Sequence, residues 1–373
     1  MSLKSTDKYS QEQDKVLESV KVSRIILPII IGLLVVAYFM WRQFDPEEFA
    51  NIQWTIHALI WTIIAFILLI IRHLAYAYRL RLLSNKEFGW WKSIELIFIW
   101  EFSSAVSPTS VGGSGVALFM LAQEKLTAAK TTAIVIYTII ADTLFYLIAF
   151  PILFLILGTE MIRPGLMSLY DIDGWGLTFM GIFIFMSIYG SILFYGLFIQ
   201  PIQFKRLAYS LARWKFFKRI RKDLQNLGVD IVEASKDLRG QSASFHIKNF
   251  LATSTAWICR FLILNALVIA FVENTPMDFW NQLLLFARSK TMFFITAFSP
   301  TPGGAGLAEA VFGGFMIDFI PPGIAILIAF FWRIITYYFY LLAGAIIVPA
   351  WVRKVIIRRK RNRHLSSHNQ MAE

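Results

Sequence analysis

The feature that most constrains this chain is a series of apolar segments long enough to cross a lipid bilayer. A helix rising ~1.5 Å per residue needs about 20 residues to span a hydrocarbon core of ~30 Å. The segments that approach or exceed this length are 25–43, 52–71, 131–158, 175–199, 249–272 and 322–349. Charged residues make up only 16% of the chain, against roughly 25% in soluble domains. The pattern excludes a string of soluble domains and predicts an all-α polytopic membrane protein.

Lysine and arginine are distributed unequally between the loops, and the formal net charge is +12. The basic segments are 72–92, 200–248 and 351–373, and the segments poor in basic residues are 44–51, 159–174 and 273–279. Positively charged loops stay on the cytoplasmic side of a membrane. We therefore predict a multi-pass protein of the cell (inner) membrane with both termini in the cytoplasm, and read the charge as a topology signal before a nucleic-acid signal.

Two regions between the spans, 93–130 and 280–321, are apolar but interrupted by proline and glycine. The two interruptions, Ser107–Gly115 and Ser299–Gly306, both contain Ser-Pro-Thr followed by Gly-Gly-x-Gly. Asp142 lies 29 residues after Gly113, and Arg333 lies 29 residues after Gly304. This shared spacing predicts an internal repeat.

The predicted topology gives the two copies opposite orientations, because 131–158 would run outward and 322–349 inward. Each interrupted region predicts two half-length helices, the first pair opening to the cytoplasm and the second to the outside. Complete spans remain the alternative, since they would leave the loop topology unchanged. The predicted organisation is a tail 1–24, a transmembrane domain 25–350 with repeat one at 52–158, a linker 200–248 and repeat two at 249–349, and a basic tail 351–373. Inverted repeats with discontinuous helices are typical of transporters, whose substrate site lies near the midplane.

The two glycine clusters are candidate anion sites. Irregular backbone at membrane depth is tolerated only when it is buried in protein or lines a wet cavity. A helix that begins after such a break offers free N–H groups, which suit a lipid phosphate. The candidate residues are Pro108, Thr109, Gly112, Gly113, Pro300, Thr301, Pro302, Gly303, Gly304 and Gly306. The alternative is that the glycines only allow helices to pack closely.

Charged residues inside apolar segments are the second group of candidates. Asp142, Arg260 and Arg333 lie deep in such segments, where a charge costs about 2.5–3.5 kcal/mol on the mildest scale. One interpretation is a structural ion pair, for instance between Asp142 and Arg333. The other is that Arg260 or Arg333 receives a lipid phosphate while Asp142 or Glu309 balances the charge or takes up a proton.

Two further basic stretches are expected at the membrane surface. Arg72, Arg79 and Arg81 follow the second span and are expected to meet anionic headgroups at the inner face. The stretch 205–222 interleaves basic and apolar residues, which predicts an interfacial amphipathic helix. Lipid is therefore the predicted partner of these residues, and nucleic acid is not.

Motifs for enzymatic chemistry are weak. Ser114 lies in Gly112-Gly113-Ser114-Gly115, which fits the Gly-x-Ser-Gly nucleophile motif of rhomboid intramembrane proteases, but no later predicted span holds the histidine that would activate it. The sequence has no Walker loop and no His-Glu-x-x-His. Cys259 is the only cysteine, so the chain forms no internal disulfide and no thiolate zinc cluster. We predict a protein that is not an enzyme and uses no cofactor or metal.

The segment Pro302–Glu309 reads Pro-Gly-Gly-x-Gly-x-x-Glu, and Trp332-Arg333 follow it. In these residues the chain resembles the membrane region of lysylphosphatidylglycerol synthases. The earlier Ser-Pro-Thr and Gly-Gly motif, with Asp142 and Arg79, is similar to the first half of that region, although the arginine often found after its proline is absent. The resemblance covers about 25–350 and implies a flippase-like module. It does not imply synthesis, because the aminoacyltransferase domain is not part of this sequence.

Together, the residues and the resemblance predict a lipid translocase that moves an anionic phospholipid or a polyprenyl-phosphate-linked lipid between leaflets. Two alternatives stay open: an intramembrane hydrolase using Ser114, and a lipid-binding partner of a lipid-modifying enzyme that performs no transport itself. The predicted partners are membrane lipids, together with a second copy of the chain or a separately encoded lipid-synthesis enzyme.

Overall fold

Helices form nearly all of the structure. The computed structural model describes residue 41 and residues 54–107, 112–124, 126–165, 174–215, 218, 221–297 and 307–370, and these ranges contain no strand. The helices are α1 Ile56–Leu83, α2 Trp90–Val106, α3 Gly112–Gln123, α4 Ala128–Leu157, α5 Gly174–Phe194, α6 Pro201–Leu211, α7 Arg221–Arg239, α8 Ala243–Phe271, α9 Phe279–Thr296, α10 Leu307–Met316, α11 Pro322–Arg333 and α12 Phe339–Gln370. A 3₁₀ turn, Gly158–Met161, follows α4, and π turns follow α5 and α11 at Tyr195–Ile199 and Ile334–Tyr338.

Five helical segments among the described residues are long and apolar enough to cross a membrane. They are Ile56–Leu83, Ala128–Met161, Gly176–Ile199, Ala243–Phe271 and Ile324–Arg358. Large apolar side chains recur at helical spacing on the exposed faces, as at Ile63, Ile67 and Ile70 of α1. The predicted all-α polytopic membrane fold is confirmed, and five of the six predicted spans have a counterpart. Of the predicted span 25–43, only Trp41 is among the described residues.

The predicted end of the second span, residue 71, is wrong because α1 continues to Leu83. Arg72 and Arg79 do not end the span, because their side chains are buried and neutralised inside the protein. The start of α1 is fixed by Thr55, whose hydroxyl accepts a hydrogen bond from the Ala58 N–H. Thr127, Ser242 and Asp278 cap α4, α8 and α9 in the same way.

The two interrupted regions form pairs of helices that fold back on themselves. Lys92, near the start of α2, lies 2.7 Å from Glu124, directly after α3, so both ends of this hairpin meet. In the second hairpin Arg288 of α9 lies 2.6 Å from Asp318, which follows α10. The returning helices α3 and α10 have 12 and 10 residues, or about 18 Å and 15 Å, against a core of ~30 Å. These lengths favour re-entrant hairpins over pairs of complete spans.

The first helices of the two predicted repeats, α1 and α8, pack against each other in opposite directions. His57 at the start of α1 lies 3.0 Å from the carbonyl oxygen of Ile269 near the end of α8. At the other end of α1, Arg79 donates to Thr253 in the first half of α8. Each helix is followed by a hairpin and another long span, and the antiparallel packing is what an inverted arrangement requires.

The linker differs from its prediction. The stretch 205–222 is not one amphipathic helix, because α6 ends at Leu211 and α7 begins at Arg221. Part of the prediction survives in α6, whose exposed side chains include Ile202, Leu207 and Tyr209 beside basic residues. The apolar face of α7 instead packs on protein, burying Ile231 and Leu238. The linker therefore contains two helices with different surroundings. Helix α6 leaves apolar side chains exposed, whereas α7 buries its apolar face against protein.

Candidate functional site

Helix α1 carries two arginines on one face in its second half. Arg72 and Arg79 are seven residues apart, so two turns of helix place both side chains on the same side, with Tyr76 between them. Both guanidinium groups contact the Tyr76 ring, at 5.0 Å and 4.6 Å from its centroid. The two arginines are buried. The expectation that Arg72 and Arg79 meet lipid headgroups at the inner face is therefore wrong, because both side chains point into the helix bundle.

Arg72 forms an ion pair with Glu101 of α2. Its Nη2 atom lies 2.8 Å from each carboxylate oxygen, and its Nη1 atom donates to the Tyr340 hydroxyl of α12 at 2.7 Å. Because the Arg72 side chain is 3% exposed and that of Glu101 21%, water screens the interaction weakly. The pair ties α1 to the first hairpin and to the last helix.

Arg79 forms the second ion pair, with Asp142 of α4. The Arg79 Nη1 atom lies 2.6 Å from Asp142 Oδ1 and also donates to the Thr253 hydroxyl at 3.0 Å. The indole N–H of Trp257, on α8, donates to the same Asp142 oxygen at 3.0 Å. The suggested ion pair between Asp142 and Arg333 is wrong, because the Asp142 carboxylate is already held by Arg79 and Trp257.

Arg260 of α8 lies one turn beyond Trp257 and is half-buried. Its guanidinium lies 4.3 Å from the Phe293 ring centroid and 5.8 Å from that of Trp257. Among the described residues it forms no hydrogen bond and no ion pair, although Glu101 lies within electrostatic range. We call Arg72, Arg79, Arg260, Glu101 and Asp142 the central polar cluster. With three arginines against two carboxylates, it carries a formal charge of +1.

Arg333 is buried inside the span Ile324–Arg358, as the sequence predicted. It is the last residue of α11, at the start of a π turn, and its guanidinium lies 4.5 Å from the Tyr337 ring centroid. The Tyr337 hydroxyl donates to the Ala105 carbonyl near the end of α2 at 3.1 Å. Through Tyr337, Arg333 is therefore connected to the end of α2, at the tip of the first hairpin. Such π turns are frequent at functional sites.

The glycine clusters can be placed only in part. Gly112 and Gly113 are the first residues of α3, and Glu309 lies in the first turn of α10, but the structure describes none of these three side-chain positions. The remaining predicted residues of the clusters lie outside the described residues: Pro108, Thr109, Pro300, Thr301, Pro302, Gly303, Gly304 and Gly306. An anion site at these breaks stays a prediction.

A second group of charged residues joins the start of α2 to the end of α3 in the first hairpin. Glu124 lies 2.7 Å from Lys92, accepts a hydrogen bond from the Trp351 indole at 2.6 Å, and lies 3.4 Å from Arg358. Burial opposes the charge on Glu124, but the hydrogen bonds from Lys92 and Trp351 and the two nearby cations outweigh it. The pKa of Glu124 consequently lies below its ordinary value. We call Lys92, Glu124, Trp351 and Arg358 the basic-end latch.

The structure offers no support for serine hydrolase chemistry. The three histidines with described side chains each have another partner: His57 contacts Ile269, His73 contacts Tyr340 and Ile94, and His246 contacts Tyr137. The side chain of Ser114 is not among those described. In the described part of the chain, no three histidine, cysteine or acidic side chains lie close enough together to hold a metal ion.

Sequence reasoning identified Arg79, Asp142 and Arg260, which the structure brings together. It missed Arg72, Glu101, Trp257 and Tyr340 as members of the same site. A local signal for Arg72 was present, since its spacing from Arg79 places both on one helical face. Nothing in the sequence indicates which acid each arginine meets, because Glu101 and Asp142 lie on different helices.

Long apolar helices, two folded-back hairpins and ion pairs buried between spans define a polytopic α-helical membrane protein. The sequence model for the lysylphosphatidylglycerol synthase TM region matches residues 25–344, and the chain belongs to that family. It is 24% identical over 296 residues to a UPF0104 membrane protein of Archaeoglobus fulgidus, a match covering 77% of this chain and 85% of the relative. No solved structure matches the chain.

Proposed function

We propose that the protein binds a lipid with an anionic, phosphate-bearing headgroup at the central polar cluster and moves it between the two leaflets of the cell membrane. Arg260 carries this proposal. It is a cation between membrane-spanning helices whose donors have no acceptor among the described residues. The expected orientation, with both termini in the cytoplasm, belongs to the same proposal.

The energetic argument concerns the cost of an unneutralised charge. A charged side chain at the middle of a bilayer is costly unless it meets a partner or water. Arg72 and Arg79 have carboxylate partners, whereas Arg260 contacts aromatic rings and forms no ion pair among the described residues. A phosphate oxygen would supply the missing acceptor and bring the formal charge of the cluster to zero. Arginine suits this role because its planar guanidinium binds phosphate through two parallel hydrogen bonds.

The arrangement of the helices supports movement as well as binding. The cluster draws on α1, α2, α4 and α8, so it includes elements of both predicted repeats. In transporters built from inverted repeats the substrate site lies between the repeats, and movement of one against the other exposes it alternately to each side. The family name supports a link to phospholipid but names no activity for this chain.

The test is leaflet exchange in vesicles that contain only the purified protein. Fluorescent phosphatidylglycerol and a fluorescent polyprenyl phosphate are incorporated separately, with phosphatidylcholine as the zwitterionic comparison. Access of a membrane-impermeant quencher then reports movement between leaflets. We expect transfer of one or both anionic probes and little transfer of phosphatidylcholine, and the preferred probe identifies the lipid class.

Binding is measured in parallel on Arg260→Gln and on Arg221→Gln. Arg221 is exposed at the start of α7, so it makes the same change of charge away from the cluster. A hydrogen bond to a charged group contributes ~1.5–3 kcal/mol, so we expect Arg260→Gln to weaken anionic-lipid binding by about 10- to 100-fold. Arg221→Gln should bind as the unmodified protein does. Absence of transfer for every anionic probe, or equal binding by both variants, would refute the proposal.

A further inference from the structure

Lys290 of α9 is fully buried, with an exposed fraction of 0%. Its Nζ atom has no hydrogen-bond partner in the described part of the chain. Instead it lies among three rings of α4: 4.0 Å from the centroid of Phe150, 4.9 Å from Phe145 and 5.2 Å from Tyr146. We call these four residues the lysine cage.

Charged groups near the lysine cage are few. The elements around this part of α9 carry the titratable groups Asp142 and Tyr146 on α4, Tyr189 on α5, Cys259 and Arg260 on α8, Glu160 on the 3₁₀ turn and Glu309 on α10, with Arg288 on α9 itself. The Glu160 carbonyl accepts from Arg288, and Arg288 pairs with Asp318. No carboxylate with a described side chain lies within ion-pair distance of Lys290. Within the part of the chain that the structure describes, the lysine therefore lacks the acid that normally fixes a buried ammonium in its charged form.

Two opposing effects act on the charge of Lys290. Removal of an ammonium from water strongly favours the neutral amine. Three electron-rich ring faces favour the cation, and such contacts strengthen when water is excluded. A purely structural position would be filled by leucine or methionine without either effect. In the lysine cage these two effects oppose each other, as a group that changes its charge requires.

The lysine cage is connected to the central polar cluster through aromatic contacts. The Tyr146 ring lies 5.1 Å from the Trp257 ring, and the Trp257 indole donates to Asp142. The cage also joins the two predicted repeats, because its rings belong to α4 and its lysine to α9. Rearrangement of the rings upon protonation of Lys290 would thus reach the helix that holds Arg260.

We propose that Lys290 binds and releases a proton in each transport cycle, so that lipid movement is coupled to the transmembrane proton gradient. The inference rests on the proposed lipid transport. Water on one side gives a proton to the lone pair of the neutral Nζ, and the ammonium later returns it to water on the other side. No bond of the lipid is formed or broken. Because Lys290 is fully buried, proton exchange requires the interface between α4 and α9 to open, as alternating access demands.

The experiment measures the steady-state distribution of the fluorescent anionic lipid across vesicles with an imposed pH difference and a membrane potential clamped at zero. If one proton moves with each lipid, one unit of pH difference should give about a tenfold difference between the leaflets. An entrapped pH dye reports the accompanying proton movement. Lys290→Met removes the titrating group, and Lys290→Arg keeps a cation among the rings but does not release its proton. Lys205→Met is the control, since Lys205 lies 5.8 Å from the Tyr209 ring on α6, outside the core.

We expect both Lys290 variants to bind the lipid as the unmodified protein does but to leave it equally distributed, while Lys205→Met keeps the tenfold difference. If Lys290→Met does not fold, Lys290→Arg alone gives the same test. The inference is overturned if either folded Lys290 variant retains the difference, or if binding is lost together with it, which would indicate a structural role. If the unmodified protein transfers the lipid but the pH difference does not change its distribution, the coupling alone is refuted. Absence of any transfer refutes the proposed function.

Discussion

Replacement of Asp142 and Arg79, singly and together, measures how strongly the buried ion pair holds α1 to α4. In Asp142→Asn the amide oxygen can still accept from Trp257, but the Arg79 guanidinium loses its counter-charge. Removal of one partner of a buried pair costs ~3–5 kcal/mol. The Asp142 side chain is 26% exposed and Arg79 keeps its contact with Thr253, so we expect a smaller cost, about 2–3 kcal/mol.

The double-mutant cycle separates the pair interaction from other effects. With Arg79→Met alone also costing about 2–3 kcal/mol, the double variant should lose about as much as either single one, because it leaves no unpaired charge. The coupling energy is then about 2–3 kcal/mol. Equilibrium unfolding in mixed lipid–detergent micelles gives the four free energies of unfolding.

Lys130 and Glu87 provide the matched control pair. Their charged atoms are also 2.6 Å apart, but the side chains are 18% and 49% exposed, against 8% and 26% for Arg79 and Asp142. Exposed pairs contribute ~0.2–1 kcal/mol. Since the distance is the same, the difference between the two cycles reports the burial of Arg79 and Asp142 together with their hydrogen bonds to Thr253 and Trp257. A coupling energy for Arg79 and Asp142 no larger than that of the control would refute the view that a weakly screened pair holds these helices together.

Two further predictions concern packing and pH. A Cβ atom at Gly190 of α5 would overlap the Thr143 side chain of α4, whereas one at Gly181 of the same helix meets nothing within 4 Å. Thermal unfolding should therefore show Gly190→Ala destabilised by ~1–3 kcal/mol and Gly181→Ala unchanged or slightly more stable; equal effects would contradict this packing. The lowered pKa of Glu124 means that its contribution to stability is complete above its ordinary pKa of ~4.3 and is lost as the pH falls through the lower folded-state value. The excess stability over Glu124→Gln should thus be constant near neutral pH and shrink below about pH 4.5; a constant difference down to pH 3 would exclude this role of the basic-end latch.

Much of the fold could be predicted because its signals are local. An apolar run predicts a span and a proline and glycine cluster predicts a break, whatever the rest of the chain does. The end of α1 was predicted wrongly because it depends on a contact between residues that are distant in the sequence. Arg72 ends the apolar run in a hydropathy profile, so the profile predicts that the span ends there. Only the contact of Arg72 with Glu101, 29 residues away, shows that the helix continues. The division of 205–222 into two helices likewise depends on where α7 finds a protein surface to cover.

The same distinction applies to the site. Asp142 and Arg260 could be recognised from the cost of a charge in an apolar segment, which needs no knowledge of partners. Their partners could not, because Tyr340 lies 268 residues from Arg72 and Trp257 lies 115 residues from Asp142. The suggested pairing of Asp142 with Arg333 assumed that equivalent positions of two repeats meet. The actual partner, Arg79, lies within the same predicted repeat as Asp142.

The two predicted repeats differ in their charged residues, and this difference bears on which substitutions should affect stability and which should affect transport. Gly113 and Gly304 occupy equivalent positions in the two predicted repeats and are 191 residues apart. The same offset makes Met292 equivalent to Glu101 and Ala270 equivalent to Arg79. The first predicted repeat pairs Arg72 and Arg79 with carboxylates. The second pairs Arg288 with Asp318 but leaves Arg260 and Lys290 without an ion pair among the described residues. Removal of one member of an ion pair leaves a buried charge uncompensated and lowers stability, whereas removal of a charge that has no ion-pair partner leaves none behind. Substitutions at Arg79 or Asp142 should therefore act first on the fold, and those at Arg260 or Lys290 first on transport.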